Sequence, residues 1–301
     1  MRKEFLRSCL LVAAAGVSPC GAYTFNYADF SDTSQLTINA VATTVTDSSG
    51  ARVLRLTESV DPGIGRAGTA FTTDPVALGS LGSFSTAFSF RISNPAGLDD
   101  TDGQGADGIV FVLQTLSPEF RGAPGGYLGY AGTDPILSSS VAIEFDTFFN
   151  KFIDSGQFVI YPDIRDPDGN HIGIDLNGSV WSVATTAIAA PMNSGGVFFA
   201  WIDYLGAEQL VQVRLSSSSV RPADALLEYA LDLPGVLGSS TAFLGFGAAQ
   251  AGGVETHDIL TWSYTNEQRE VAVPNPATLA LFLLGLPVLF LALSEKLARG
   301  G

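Results

Sequence analysis

Cysteine is almost absent from this 301-residue chain: Cys9 and Cys20 are the only two, and both lie near the N-terminus. A chain that loses that segment keeps no thiol, so a disulfide framework is excluded for the rest. Positive charge is scarce as well. Fifteen Lys and Arg stand against 30 Asp and Glu, a formal net charge of −15. Phosphate binding needs a basic face, so nucleic acid is excluded as a partner. Between Tyr23 and Thr265 the sequence shows no persuasive helical pattern, no repeat and no domain linker.

What is present is a succession of short β-rich runs. They are Val53–Leu56, Phe84–Ile92, Gly108–Leu113, Val141–Asp146, His171–Leu176, Val197–Tyr204, Gln209–Leu215, Ala242–Gly247 and Ile259–Tyr264. Asp61-Pro62-Gly63, Ala123-Pro124-Gly125-Gly126 and Asp168-Gly169-Asn170 punctuate them as turns. Hydrophobic residues make up 46% of the chain and charged ones 15%, so most of it can enter a core. Many short strands without intervening helices predict an all-β sandwich or jelly roll of antiparallel sheets over residues 23–268. Residues 221–232 fit either a helical turn or a strand.

Both ends read as addresses. Arg2, Lys3 and Arg7, the apolar run Leu10–Val17 and the small residues at Cys20-Gly21-Ala22 predict a signal peptide over residues 1–22. In residues 269–301, Val273-Pro274-Asn275-Pro276 leads into Ala277–Leu293, 17 apolar residues followed by Lys296 and Arg299. Such a helix is about 25 Å long, slightly short of a bilayer core of ~30 Å. The segment resembles the PEP-CTERM sorting tail of exopolysaccharide-producing Gram-negative bacteria, although Asn275 stands where that motif carries Glu. The resemblance implies an exported protein at the cell surface or in the extracellular matrix. Its tail is cut near Pro274 or kept as a transmembrane anchor, so membrane contact is confined to that tail. Without residues 1–22 and the segment beyond Pro274, 10 basic and 28 acidic residues remain, near −18.

The chemistry concentrates in residues 141–177. Glu144 and Asp146 are two apart in an apolar strand, so both carboxylates share one face and Phe145 takes the other. Adjacent buried carboxylates repel and are costly without a cation. Asn150, Asp166, Asp168 and His171 follow. Oxygen donors suit calcium, and an imidazole with carboxylates suits manganese or a similar transition ion, so the window predicts a paired metal site.

The run E-F-D-T-F-x-N followed by D-P-x-x-x-H-I-G-I-D resembles the metal loop of the legume (L-type) lectins. Phe84–Ile92, Ala106-Asp107-Gly108, Gly125-Gly126-Tyr127-Leu128-Gly129, Gly245–Ala249 and Glu255–Ser263 resemble further segments of that family in the same order. The resemblance implies a concanavalin-A-like β-sandwich and a metal set in defined roles. Glu144 and His171 bind the transition ion, Asp146 and Asp166 bridge both ions, and Asn150 with the Phe148 carbonyl completes calcium. Ser182 is a weaker candidate for a water-mediated contact. The insert Lys151–Arg165 leaves Asp154 competing with Asp166 for the bridging role. Asp163 and Asp168 read as solvated loop residues, and His257 as structural.

The same resemblance implies a sugar pocket. Asp107 accepts from two hydroxyls, and Asn150 gives its carbonyl to calcium and its amide to the sugar. Gly126 donates a backbone N–H, and Phe148 stacks on the apolar face of the ring. The Ala106–Asp107 peptide is cis, and the variable loop Gly247–Gly253, with Gln250, sets sugar choice. The implied function is a non-enzymatic, metal-dependent lectin for glycans or exopolysaccharide, with homo-oligomers through sheet edges compatible with the fold. Two alternatives stand beside it. A glycosidase of related fold requires Glu-x-Asp-x-(x)-Glu on one strand; Phe148 and Phe149 occupy the positions of the second Glu. The other is a matrix or adhesin protein that keeps the fold without binding sugar.

Overall fold

The computed structural model describes residues 23–134, 136–150 and 166–267. The expected signal peptide, the apolar tail and the Lys151–Arg165 insert with Asp154 and Asp163 lie outside these residues. Among the described residues no helix is long and apolar enough to cross a membrane.

The chain forms β1 (Thr24–Tyr27), β2 (Leu36–Ala40), β3 (Thr43–Thr46), β4 (Arg52–Thr57), β5 (Arg66–Thr72) and β6 (Val76–Ala77). It continues through β7 (Phe84–Gly97), β8 (Gly108–Gln114), β9 (Ser140–Asp146), β10 (His171–Leu176) and β11 (Ala184–Ala187). The last strands are β12 (Val197–Leu205), β13 (Leu210–Ser216), β14 (Leu227–Ala230), β15 (Thr241–Gln250) and β16 (Gly253–Thr265). One sheet has the order β14-β13-β12-β7-β16-β4-β3, with β1 beside β16. The second has the order β11-β10-β9-β8-β15-β5-β2, with β6 beside β15. Every pairing of strands is antiparallel, as expected of an all-β sandwich.

One short helix, α1 (Leu233–Leu237), breaks the all-strand expectation. Asp232 caps it by accepting from the Gly235 N–H, and Gly238 ends it in the left-handed conformation. The ambiguous 221–232 segment contains β14, a strand.

Aromatic residues weld the two sheets. Phe88 of the first sheet meets Phe246 and Phe145 of the second edge-on, at ring-centroid separations of 4.9 and 5.6 Å. Phe145 also packs on Phe90 at 5.2 Å and is fully buried. This packing positions the site, because a residue locked into the core turns both of its neighbours, Glu144 and Asp146, to the opposite face of β9. That face is covered by the loops of residues 116–138 and 178–180, which form a second apolar cluster around Val110, Val112, Leu128, Tyr130 and Ala142.

Candidate metal centre

Three neighbouring strands deliver the polar groups to one end of the second sheet. Asp146, the last residue of β9, stands opposite His171, the first of β10, and opposite Gly108 at the start of β8. Side chains directly opposite on paired strands share a face, so Asp146, His171 and Glu144 converge. Ligand atoms of Asp146, Asp166 and His171 lie within 4.8 Å of one another. His171 Nε2 is 3.2 Å from Glu144 Oε1. Gly173, opposite Glu144, cannot be replaced by a residue with a side chain: a Cβ there would stand 2.2 Å from Glu144 Oε1 and 2.1 Å from Ser182 Oγ.

The metal loop is held by its own backbone. Phe148 N–H donates to Asp146 Oδ1 at 2.8 Å, and Asn150 N–H donates to Asp166 Oδ2 at 2.7 Å. Asp166 therefore closes the loop onto Asn150. The side-chain amide of Asn150 favours the ionised form of Asp107, against the burial that raises its carboxyl. Asn150 Oδ1, like Asp107 Oδ2, is buried and accepts no hydrogen bond. Asp107 is anchored from both sides, its N–H donating to the Ala249 carbonyl and its carbonyl accepting from Thr147 N–H. The Ala106–Asp107 peptide is cis, as the resemblance implied.

The electrostatics ask for cations. Burial, then the charges of Asp166 and Glu144, raises the Asp146 carboxyl well above its ordinary range. Burial and Glu144 push Asp166 up to about 7. Burial, with Glu255 and Asp166, raises Asp107, against the hydrogen bond from Asn150 that lowers it. Burial lowers the His171 imidazole, but the hydrogen bond and charge of Glu144, with Asp166 and Asp168, outweigh it and leave its pKa raised. One imidazolium cannot neutralise this many carboxylates. The orphaned Asn150 carbonyl, the oxygen-rich set and the single imidazole fit a calcium ion beside a transition ion.

The structure corrects or extends several readings. Asp168 is not simply solvated: its Oδ1 lies 3.6 Å from His171 Nδ1, a buried atom that makes no hydrogen bond. Ser182 Oγ lies 2.6 Å from Glu144 Oε1 and 2.7 Å from Asp175 Oδ1, so the two carboxyl groups share one hydroxyl. Asp175 had been given no role, yet it is fully buried, and burial and Glu144 raise its carboxyl well above the ordinary range. The signal was present, because His171, Gly173 and Asp175 alternate along β10 onto one face. Gln250 does not line the pocket. It is 0% exposed, donates to the Glu58 carbonyl and accepts from Glu255 N–H. The Gly247–Gly253 loop is mostly strand, with β15 running to Gln250 and only Ala251 and Gly252 turning the chain. Gly126 is buried in the 3-10 turn Gly125–Tyr127, and Phe148 is half-buried beside the metal loop. His257 is structural as read: fully buried, it faces Thr57 Oγ1 at 2.6 Å and Glu255 Oε2 at 3.3 Å.

Two sheets of this topology and this acidic site define a lectin of the concanavalin-A-like sandwich class. The family model of the legume lectin domain matches residues 22–279, and the chain belongs to that family. It is 27% identical to leucoagglutinating phytohemagglutinin of Phaseolus vulgaris, over 93% of this chain and 97% of that protein. An L-type lectin-domain containing receptor kinase of Arabidopsis thaliana is 32% identical over 61% of this chain. The chain spans 24% of that kinase's length, so the likeness concerns its lectin part. Among solved structures, basic winged bean lectin with Tn-antigen superposes with a TM-score of 0.62 at 31% identity, covering 81% of this chain and 98% of that one. Winged bean acidic lectin complexed with methyl-α-D-galactose gives 0.63 at 29% identity over the same shares. The relatives matched along nearly their whole length are lectins.

Proposed function

We propose that the domain binds glycans through a pocket that calcium and a manganese-like ion organise. The observation that carries this reading is the Asn150–Asp107 pair, in which each residue keeps one buried oxygen with no hydrogen-bond partner. Glu144, Asp146, Asp166 and His171 would hold the transition ion. Asp146, Asp166, Asn150 and the Phe148 carbonyl would hold calcium. When bound, the ions supply the counter-charge that keeps the carboxylates ionised and the loop rigid. Asp107 then accepts hydrogen bonds from two sugar hydroxyls, stronger than neutral ones because the acceptor is charged. The Asn150 amide and the Gly126 N–H donate to the sugar, and Phe148 covers its apolar face.

The sequence of the two ends supports export from a Gram-negative bacterium by a signal peptide and sorting by a PEP-CTERM-like tail. Exopolysaccharide of a biofilm matrix is then the glycan within reach, and exposed sheet edges such as β3 and β14 offer a route to homo-oligomers. A glycan array probed with the full chain, with calcium and manganese and again with chelator, tests the reading. Binding that vanishes on chelation and in Asp107→Ala supports it. Chelator-insensitive binding overturns the metal role, and no binding to any glycan with both metals present favours a matrix protein that has lost the sugar site.

A further inference from the structure

Behind the sugar pocket lies a polar cluster to which no role has yet been given. Glu255, at the start of β16, is fully buried, and both carboxylate oxygens are engaged. Oε1 accepts from Asn193 Nδ2 at 2.8 Å. Oε2 accepts from Thr147 Oγ1 at 2.8 Å and faces His257 Nε2 at 3.3 Å. His257 in turn meets Thr57 of β4 through its other ring nitrogen. Gly105 presses directly on the same carboxylate: a Cβ there would stand 2.2 Å from Oε1.

Apart from His257 and Thr57, which are partners on the paired strands β16 and β4, these contacts tie together segments that share no strand pairing. Thr147 lies between the ligand residue Asp146 and Phe148, whose carbonyl faces calcium in the reading above. Gly105 precedes the Ala106–Asp107 segment. Asn193 sits in the loop before β12, and its amide also donates to the Gln104 carbonyl at 3.2 Å. One carboxylate from the first sheet thus pins both loops that carry the candidate calcium and sugar ligands of the second sheet. A charged acceptor suits the task, since hydrogen bonds to an ionised group are the stronger ones. Burying a carboxylate is costly unless its oxygens are satisfied, and here every contact that satisfies them falls on a loop of the site or on a strand beside it.

We propose that Glu255 is a positioning residue for the calcium half of the site, acting through the Thr147 hydroxyl and through Asn193, whose amide also holds the Gln104 carbonyl, without touching ion or sugar. The proposal rests on the metal-dependent reading above. It separates Glu255 from Glu144, which faces His171, and predicts that the two carboxylates affect different ions.

Calorimetric titration of the stripped full chain with manganese alone, and then with calcium in the presence of manganese, tests it. Loss of an outer partner of a metal ligand costs about 10–100-fold in affinity, so Glu255→Ala is expected to weaken calcium by that factor. Manganese affinity in the absence of calcium is expected to stay close to that of the parent chain. Glu255→Gln, which still accepts at one oxygen and can donate to the Thr147 hydroxyl, is expected to restore most of the calcium affinity. A merely structural role would weaken calcium and manganese alike in Glu255→Ala. Thr147→Val, nearly isosteric and lacking only the hydroxyl, is expected to weaken calcium in the same direction, and it decides the matter if Glu255→Ala fails to fold by circular dichroism. Equal calcium affinity in Glu255→Ala and the parent, or equal weakening of both metals, overturns the proposal. Failure of the parent chain itself to take up calcium would remove the metal-dependent reading and this proposal with it, a result distinct from loss in the variant alone.

Discussion

The side-chain amide of Asn150 acts on the carboxyl of Asp107 and favours its ionised form, linking the metal loop to the segment ahead of β8. The same contact leaves Asn150 Oδ1 free to face an ion and Asp107 Oδ2 free to face a hydroxyl. The two residues therefore differ in what their loss should do. Asp107→Ala removes sugar acceptors and no metal ligand, whereas Asn150→Ala removes a metal ligand as well. Hydrogen bonds to charged groups contribute about 1.5–3 kcal/mol each, so Asp107→Ala should weaken sugar at least tenfold and calcium by less than Asn150→Ala does, because it removes a partner of the ligand and not the ligand. Asn150→Ala should weaken both. Calorimetry with the best array ligand and with calcium separates the two cases, and parallel losses in the two variants would contradict this division of roles.

The acidic cluster predicts a pH dependence that metal should reverse. Without metal, burial and the Glu144 charge push Asp166 up to about 7, and burial with the Asp166 charge raises Asp146 well above the ordinary carboxylate range. The native state then holds more protons than the unfolded state between pH 4 and 7, so the stability contributed by these groups falls as pH rises through that window. With calcium and manganese bound the sign inverts, because the ions require ionised carboxylates. Differential scanning calorimetry in chelator should show Tm falling from pH 5 to pH 8. The same scan with both metals should show it rising.

Asp175 offers a test of which carboxylates the metals use. It is buried next to Glu144 and shares the Ser182 hydroxyl with it. Burial and the Glu144 charge raise its carboxyl well above the ordinary range, which favours a neutral hydrogen-bonding group behind the ligand set. Asp175→Asn keeps its shape and neutrality and is expected to leave manganese affinity little changed. Glu144→Gln, which alters a ligand, is expected to lower it by more than tenfold, as loss of a charged ligand partner does. Manganese electron paramagnetic resonance on both variants provides the comparison.

How much of this was legible in the sequence depended on local alternation. Glu144, Phe145 and Asp146 revealed their two faces because a strand has a period of two, and the packing of Phe145 on Phe88 and Phe90 shows why that reading held. Asp166 and His171 were found by spacing and resemblance, and they meet Asp146 as that spacing required. Gln250 misled because the resemblance placed a variable loop at Gly247–Gly253, which takes in Gly247, Ala248 and Ala249. They are strand residues that pair with β5 on one side and β8 on the other, which turns Gln250 inward. The helix Leu233–Leu237 was too short for any periodicity to show. The role of Asp168 was hidden because it depends on the ring orientation of His171, which no sequence pattern encodes.

That orientation gives a prediction of its own. A metal-binding histidine is held by a carboxylate or carbonyl on its second nitrogen, which also raises its basicity. Asp168 Oδ1, 3.6 Å from His171 Nδ1 and already accepting from Asn170 N–H, is placed for this in the loop ahead of β10. Asp168→Asn is expected to weaken the transition ion by about tenfold, the lower end for such partners. Calcium titrated alone should change less. Equal manganese affinity in the variant would show that the Asp168 side chain serves only the turn at Asp168–Asn170.

Phe148 separates backbone from side chain within a single residue. Its carbonyl belongs to the proposed calcium set, while its half-buried ring belongs to the proposed sugar surface. Phe148→Ala removes the ring and keeps the carbonyl. A stacked aromatic contributes about 0.5–1.5 kcal/mol beyond the apolar area it covers, so sugar affinity should fall roughly tenfold. Calcium affinity should fall much less, because the backbone hydrogen bond from Phe148 N–H to Asp146 does not depend on the side chain. Replacement by Trp or Tyr should restore the sugar and alter its preference among ring faces. If Phe148→Ala weakens calcium as strongly as sugar, the ring is acting as packing for the metal loop and the sugar's apolar face must be covered elsewhere.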